Sequence, residues 1–288
     1  MVSRLVVVVS VLSCLAMAGC ASKPPSRLSD PKTAYAPVAQ EGDAASGALF
    51  DKFGKPKGGK SFGPLAGRTL SAASISDIAL RDKEVILTFD DGPIPARTGK
   101  ILDILQNHGV KATFLMVGQM ADSYPGTAAR VVREGHSIGG HTHGHANLAG
   151  LGHERAMAEI ASGNASVRRA TGTSVGFFRF PYLADTAALR REVANRGLVI
   201  LDADIDSKDY FTLSPATLAE RTMAKVRKRR KGIILMHDIH NRTAAMLPML
   251  LSQLKAEGYK VVTLRFRGSP LPDAMVSAGD TKPATNAI

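Results

Sequence analysis

The feature that most restricts this chain is an alternation between about residue 84 and residue 267. Short apolar runs rich in β-forming residues stand at 85–89, 112–117, 137–139, 177–180, 198–201, 233–236 and 260–264. Helical patterns fill the gaps. Ile101, Leu102, Ile104 and Leu105 lead to a stop signal at Gly109, and Ala156, Ile160 and Val167 share a stripe of helical period. Ser214-Pro215 reads as an N-cap followed by proline at the first helical position. Leu247, Leu250, Leu251 and Leu254 form a further stripe that ends before Gly258. Strand, helix, strand in succession joins through crossovers between parallel strands, so the expected class is α/β. Seven such units in roughly 185 residues predict a compact (β/α) barrel, smaller than the usual eight-unit form of about 250 residues.

The flanks differ in character. Arg4 precedes an apolar run over 5–18 that is too short for a membrane span of about 20 residues. With Leu15-Ala16-Met17-Ala18-Gly19-Cys20 it resembles a bacterial lipoprotein signal, although Met17 stands where Leu is usual. The expectation is a signal peptide over 1–19 and a lipidated Cys20 that anchors an exported protein in the cell envelope. The alternative is a plain secretory signal cleaved near Ala18. Ala21, in place of Asp, points to the outer membrane facing the periplasm if the host is Gram-negative. Residues 20–82, rich in Ala, Gly, Ser, Pro and Lys, read as a mostly flexible tether with a short docking piece near 65–80. Residues 268–288 read as a disordered tail.

Composition narrows the chemistry. Both cysteines, Cys14 and Cys20, lie in the first twenty residues, which excludes a disulfide framework or a thiolate zinc site from the rest. Any metal must be held by His, Asp, Glu or backbone oxygen. The net charge of +12 suggests affinity for anionic surfaces. The absence of Trp and an aromatic content of 5% argue against stacking platforms for single-stranded nucleic acid, and export disfavours any nucleic-acid partner.

The polar exceptions collect after the strands. Asp90 and Asp91 follow the first run; His141, His143 and His145 the third; Arg179, Pro181 and Tyr182 end the fourth; Asp202, Asp204, Asp206 and Asp209 follow the fifth; His237 and Asp238 the sixth. In a parallel barrel the strand C-termini share one face, where active sites form, so these distant clusters are expected to converge on one mouth. Adjacent carboxylates repel unless a cation or Arg separates them. Asp90-Asp91 therefore reads either as one metal ligand beside one base, or as an acidic helix-initiating turn. Three imidazoles within 141–145 after an apolar strand favour metal binding. His141 and His145 would share one side of a helical turn, although Gly139, Gly140 and Gly144 favour a tight loop with other choices. Asp with two His suits a borderline ion such as zinc with one position left open, while cobalt, nickel or manganese fit the same donors.

Thr88-Phe89-Asp90-Asp91-Gly92-Pro93, His141-Thr142-x-x-His145, Arg179-Phe180-Pro181-Tyr182, Asp206-Ser207-Lys208-Asp209-Tyr210 and Leu235-Met236-His237 resemble, in order and spacing, the five motifs of the polysaccharide deacetylase family. This family is also called NodB-like, or carbohydrate esterase family 4. The resemblance covers roughly residues 84–267 and sets the expected catalytic domain at 83–267. It implies a deformed (β/α) barrel that removes acetyl groups from N-acetylglucosamine units of chitin, chito-oligosaccharides or peptidoglycan. It also implies that Asp91, His141 and His145 bind a divalent metal, that Asp90 is the general base and that Arg179 holds Asp90. The Tyr182 backbone N–H would serve the oxyanion hole, His237 tuned by Asp209 would be the general acid, and Leu235 would line a pocket for the acetyl methyl.

There are departures from the pattern. Tyr210 stands where Trp is common, which makes a smaller aromatic wall, and Phe180 and Leu183 replace frequent Pro and Gly. His143 reads as a solvated loop residue, and Asp202 and Asp204 as solvated or hydrogen-bonded rather than catalytic. His108, His136, His153 and His240 read as residues of surface turns or helix ends, with His240 near enough to His237 to reach the mouth. Six of the seven residues over 225–231 are basic, which reads as a solvated helix end or as a contact for anionic lipid or envelope polymer. Rival readings are an O-deacetylase or another metal-dependent amidase on the same barrel, and a non-catalytic envelope lipoprotein that binds glycan. The sequence identifies neither the polymer nor the oligomeric state.

Overall fold

Strand β2 (Glu84–Asp90) is buried along its whole length, which suits a run without polar alternation, since a parallel strand is covered on both faces. The structure, a computed structural model, describes residues 63–268. The signal peptide 1–19, Cys20, the tether up to residue 62 and the tail from residue 269 lie outside them.

Both edges of β2 pair in parallel. Asp90 aligns with Leu115 of β3 (Thr113–Met116) on one edge and with His237 of β8 (Gly232–His237) on the other. Beyond β3 follow β4 (Ser137–Gly140), β5 (Phe177–Phe178) and β6 (Val199–Ile200), and beyond β8 lies β7 (Ile205–Asp206), all parallel. Among the described residues no ladder joins β6 to β7. The start of β2 also pairs with β9 (Lys260–Phe266), which carries β1 (Ala66–Ala72) on its outer edge. The piece expected to dock near 65–80 is thus a strand of the sheet, and the folded unit begins before residue 83.

The crossovers are helical, as the alternation requires. They are α1 (Pro95–Asn107), α2 (Gly118–Ser123), α3 (Pro125–Arg133), α4 (His153–Thr171), α5 (Ala187–Asn195), α6 (Pro215–Arg229) and α7 (Asn241–Ala256). Ser214 caps α6 by accepting from the Thr217 N–H at 3.1 Å. No helix among the described residues is long and apolar enough to cross a membrane.

Side chains of β2 alternate between two cores. Val85, Leu87 and Phe89 face the helical layer with Leu102, Leu218 and Leu247. Ile86 faces inward with Leu115, Phe177, Val199 and Ile233. Period two puts Thr88 and Asp90 on the Ile86 face. That face therefore climbs from an apolar floor to a carboxylate at the C-terminal mouth. Truncating a floor residue such as Ile86 to Ala would cost about 2–5 kcal/mol by cavity formation.

Two expectations change. β7 was not anticipated, because two residues within an acid-rich run carry no periodic signal. His136 is not a surface residue. It is buried against Phe114, its Nδ1 accepts the Ala112 N–H at 3.1 Å, and burial with nearby Lys111, Arg265 and Arg130 pushes it down to about 3, so it is neutral. Much of the basic run is neutralised at home: Arg227 pairs with Glu220 and Glu257, Arg229 with Asp204 and Arg230 with Asp82.

Candidate active site

The end of β2 delivers two carboxylates in different directions. Asp90 stays in extended backbone and points inward, 2% exposed. Asp91 turns away with a left-handed φ of 79°. Gly92 follows where a Cβ would overlap the carboxylate of Asp238, so the turn needs glycine. Asp238 is fully buried and its Oδ2 accepts the Thr98 hydroxyl at 2.6 Å; burial pushes its carboxyl up to about 7.

Asp90 is held by Arg179, a guanidinium only 1% exposed. Its Nη1 donates to Asp90 Oδ1 at 2.7 Å and to Thr88 Oγ1 at 2.8 Å, and its Nε donates to the Leu201 carbonyl at 2.8 Å. A buried cation with several acceptors is compensated, and it fixes the carboxylate beside it. Oδ2 of Asp90 turns toward His141 Nε2 at 3.9 Å.

His141 and His145 come from a loop, not a helical turn. Thr142 and His145 have φ values of 63° and 58°. The loop is gripped from below: Gly118 N–H donates to the Thr142 carbonyl and Gln119 N–H to the His143 carbonyl, at 2.9 and 3.0 Å. A Cβ at Gly163 of α4 would overlap the Thr142 backbone, so this glycine admits the loop. His143 is half-buried, with its Nδ1 buried near Gly118, and so is less solvated than expected.

Oδ1 of Asp91 lies 3.4 Å from His141 Nε2 and 3.2 Å from His145 Nε2. Neither contact has hydrogen-bond geometry, which leaves Oδ1 a buried oxygen without a hydrogen-bond partner. Burial opposes a charge on Asp91, but the two imidazoles outweigh it and hold the carboxyl well below its usual range. His141 Nδ1 faces the Arg179 carbonyl at 2.8 Å. A carbonyl only accepts, so Nδ1 is protonated, and Nε2 is the ring nitrogen turned toward Asp91. These three donor atoms lie within 4.8 Å of one another, a set that fits a divalent ion.

The other side of the mouth is built on β8. His237 aligns with Asp90 across the β2–β8 ladder, one strand spacing of about 4.8 Å away. Its Nδ1 lies 2.7 Å from Asp209 Oδ1, and its backbone N–H donates to Asp209 Oδ2 at 2.8 Å. The Thr243 hydroxyl donates to the same Oδ2 at 2.6 Å. Burial alone would lower His237. The hydrogen bond and charge of Asp209, with Asp90 and Asp91 adding to them, raise it to about 9. Burial likewise opposes the charge of Asp209, and His237 and Thr243 hold it low.

Around these groups lie exposed side chains. Tyr182, in left-handed backbone with φ 60°, is 68% exposed and stacks edge-on to His145 at 4.7 Å. Tyr210 meets His237 at 5.6 Å and Phe211 at 4.9 Å, and its hydroxyl donates to Asp206 at 3.1 Å. Leu235 is buried between Thr88 and Asp206 in the ladders of β8. His240 lies 5.9 Å from His237, and burial lowers its pKa. Asp202 and Asp204 do not enter the mouth: Asp202 pairs with Arg190 and Asp204 with Arg229. Thr243, Thr98 and Phe211 had no role in the sequence reading. A hydroxyl in an amphipathic helix gives no signal until its carboxylate partner is brought against it.

The model for polysaccharide deacetylases matches residues 77–201. The chitin deacetylase of Colletotrichum lindemuthianum is 31% identical over 245 residues, which is 81% of this chain and 94% of that protein. The chain belongs to the polysaccharide deacetylase family. The peptidoglycan-N-acetylglucosamine deacetylase PgdA of Listeria monocytogenes is 34% identical over 187 residues, covering 65% of this chain. This polysaccharide deacetylase chain spans 39% of the length of that relative. Among solved structures, a peptidoglycan deacetylase of Bdellovibrio bacteriovorus superposes with a TM-score of 0.63 at 30% identity, over 74% of this chain and 61% of that one. Likeness to these structures agrees with the parallel α/β architecture above.

Proposed function

We propose that this protein is a metal-dependent hydrolase that removes N-acetyl groups from N-acetylglucosamine units of a polysaccharide, peptidoglycan or a chitin-like polymer, and releases acetate. The observation that carries the reading is the opposition of Asp90 and His237 across one ladder, beside three donors that converge without a hydrogen bond. Asp91, His141 and His145 would hold the ion, read here as Zn2+. When bound, it supplies Lewis acidity toward the acetyl carbonyl and the attacking water.

The protein's own groups do the rest. Asp90, anchored by Arg179, accepts the proton of the attacking water. The Tyr182 N–H donates to the carbonyl oxygen as charge gathers on it. His237, kept protonated by Asp209, gives its proton to the leaving nitrogen. An amine leaves only when protonated, whereas an alcohol leaves more readily without help. An imidazole held cationic to about pH 9 therefore favours amide over ester cleavage. Leu235 offers an apolar wall to the methyl group. The retained polar set of all five motifs speaks against the non-catalytic reading.

The test is acetate release from peptidoglycan and from chito-oligosaccharides by the full chain, with and without chelator. Chelator-sensitive release, restored by added zinc, supports the reading; no release from either polymer in metal-loaded protein overturns it. The envelope location expected from residues 1–20 belongs to the same proposal. Its check is membrane fractionation of a Cys20→Ser variant, which should leave the membrane fraction.

A further inference from the structure

Beside His237 the surface carries an aromatic pair with two cations next to it. Tyr210 and Phe211 are 45% and 49% exposed, with ring centroids 4.9 Å apart. The Lys208 ammonium lies 5.9 Å from the Phe211 ring, and Arg242 Nη1 donates to the Tyr210 carbonyl at 3.2 Å. Lys208 is exposed and Arg242 half-buried, and among the described residues neither pairs with a carboxylate. Arg242 stands in the first turn of α7, where the helix dipole disfavours a cation, so helix stability does not explain it.

The acids nearby are committed. Asp209 serves His237 and Thr243. Asp206 accepts the Lys208 N–H and the Tyr210 hydroxyl, and its carbonyl accepts Lys225, which also lies close to Lys208 and Arg221. Lys208 and Arg242 thus adjoin an exposed apolar platform whose neighbouring acid, Asp206, already accepts two hydrogen bonds. A sugar ring stacks on such a platform through its C–H face. A neutral sugar would leave the flanking charges unused.

We propose that Lys208 and Arg242 form a subsite for a carboxylate carried by the sugar next to the one that reacts, which makes an acidic glycan the preferred substrate. This rests on the deacetylase reading above and adds the charge of the polymer to it. A uronic acid supplies such a group, and so does the lactyl ether of a muramic residue whose carboxyl carries no peptide.

The experiment measures Kd by calorimetry and kcat/KM by acetate release on the full, zinc-loaded chain. The substrates are glycan oligomers of N-acetylglucosamine and N-acetylmuramic acid stripped of peptide, the same oligomers as methyl esters, hyaluronan oligomers, and chito-oligosaccharides of equal length. The free acid should bind more tightly than its ester, and salt should narrow the gap. Lys208→Gln and Arg242→Gln should each reduce the acid-to-ester ratio roughly two- to fivefold, the range of exposed ion pairs. Lys255→Gln removes the same charge from the far end of α7, about 20 Å away, and should leave the ratio unchanged. Hyaluronan bound like the muramic acid oligomer assigns the site to carboxylates in general; muramic acid alone assigns it to the lactyl group. Equal affinity for acid and ester, or an equal effect of Lys255→Gln, overturns the subsite. Preferential binding of the acid without acetate release from any oligomer would keep the subsite and overturn the deacetylase reading.

Discussion

Two assemblies of carboxylate and imidazole face each other across the mouth, and they differ in how completely they are satisfied. Around Asp209 every hydrogen-bonding site facing His237 is used: the ring N–H, the backbone N–H and the Thr243 hydroxyl all meet its two oxygens. Around Asp91 two imidazole nitrogens approach one buried oxygen that makes no hydrogen bond. The first is complete with a proton; the second is complete only with a cation. Identical residue types thus become a proton donor or a metal site according to whether the surrounding chain supplies the remaining partners.

The comparison breaks most sharply at its two ends. Asp91→Ala should abolish metal binding and lower kcat by about a thousandfold or more, as loss of Lewis-acid stabilisation requires. Elemental analysis and acetate release check it, and retained zinc with full activity would refute the metal assignment. Asp90→Asn should lower kcat by about 10²–10⁴-fold with metal retained, because general-base assistance is of that size.

On the satisfied side, His237→Ala should cost about 10²–10⁴-fold while zinc content stays unchanged, which separates the two assemblies. The pH profile sharpens this further. His237 must be protonated to donate, so kcat should fall as pH rises through about 9, and Asp209→Asn should move that limb to lower pH. The sign for stability is the same. A histidine raised above its unfolded value near 6.5 contributes stability that is fully present below that pH and is lost as pH rises through about 9.

The smallest effect belongs to Thr243→Val, which removes one hydrogen bond to Asp209. It should destabilise the fold by about 1–2 kcal/mol in denaturant titration and, because a carboxylate that loses a donor attracts the imidazolium more strongly, shift the alkaline limb slightly upward, with zinc affinity unaffected. A loss of zinc in this variant would show that the two assemblies are not independent.

Much of this could be read before the fold was known. The apolar runs from β2 to β9, apart from β7, and the cap at Ser214 followed local rules, because a strand covered on both faces and a helix terminus each impose residue types directly. The approach of Asp90, Asp91, His141, Arg179 and His237 was legible from their place after successive strands, since parallel strands end on one face. β7, the burial of His136 and the partial burial of His143 were not legible. Each depends on what packs against it from a distant element, and two residues or one ring leave no periodic trace.

The amino-acid sequence by itself determined the α/β class, the parallel direction of the strands and the residue types gathered at one mouth, because hydrophobic period and strand–helix alternation are local. The resemblance already paired Arg179 with Asp90 and Asp209 with His237; tertiary structure alone supplied their distances and decided which Asp91 oxygen was left without a hydrogen bond. Those distances join groups far apart in sequence, 89 residues for Asp90 and Arg179, and no pattern along the chain encodes them.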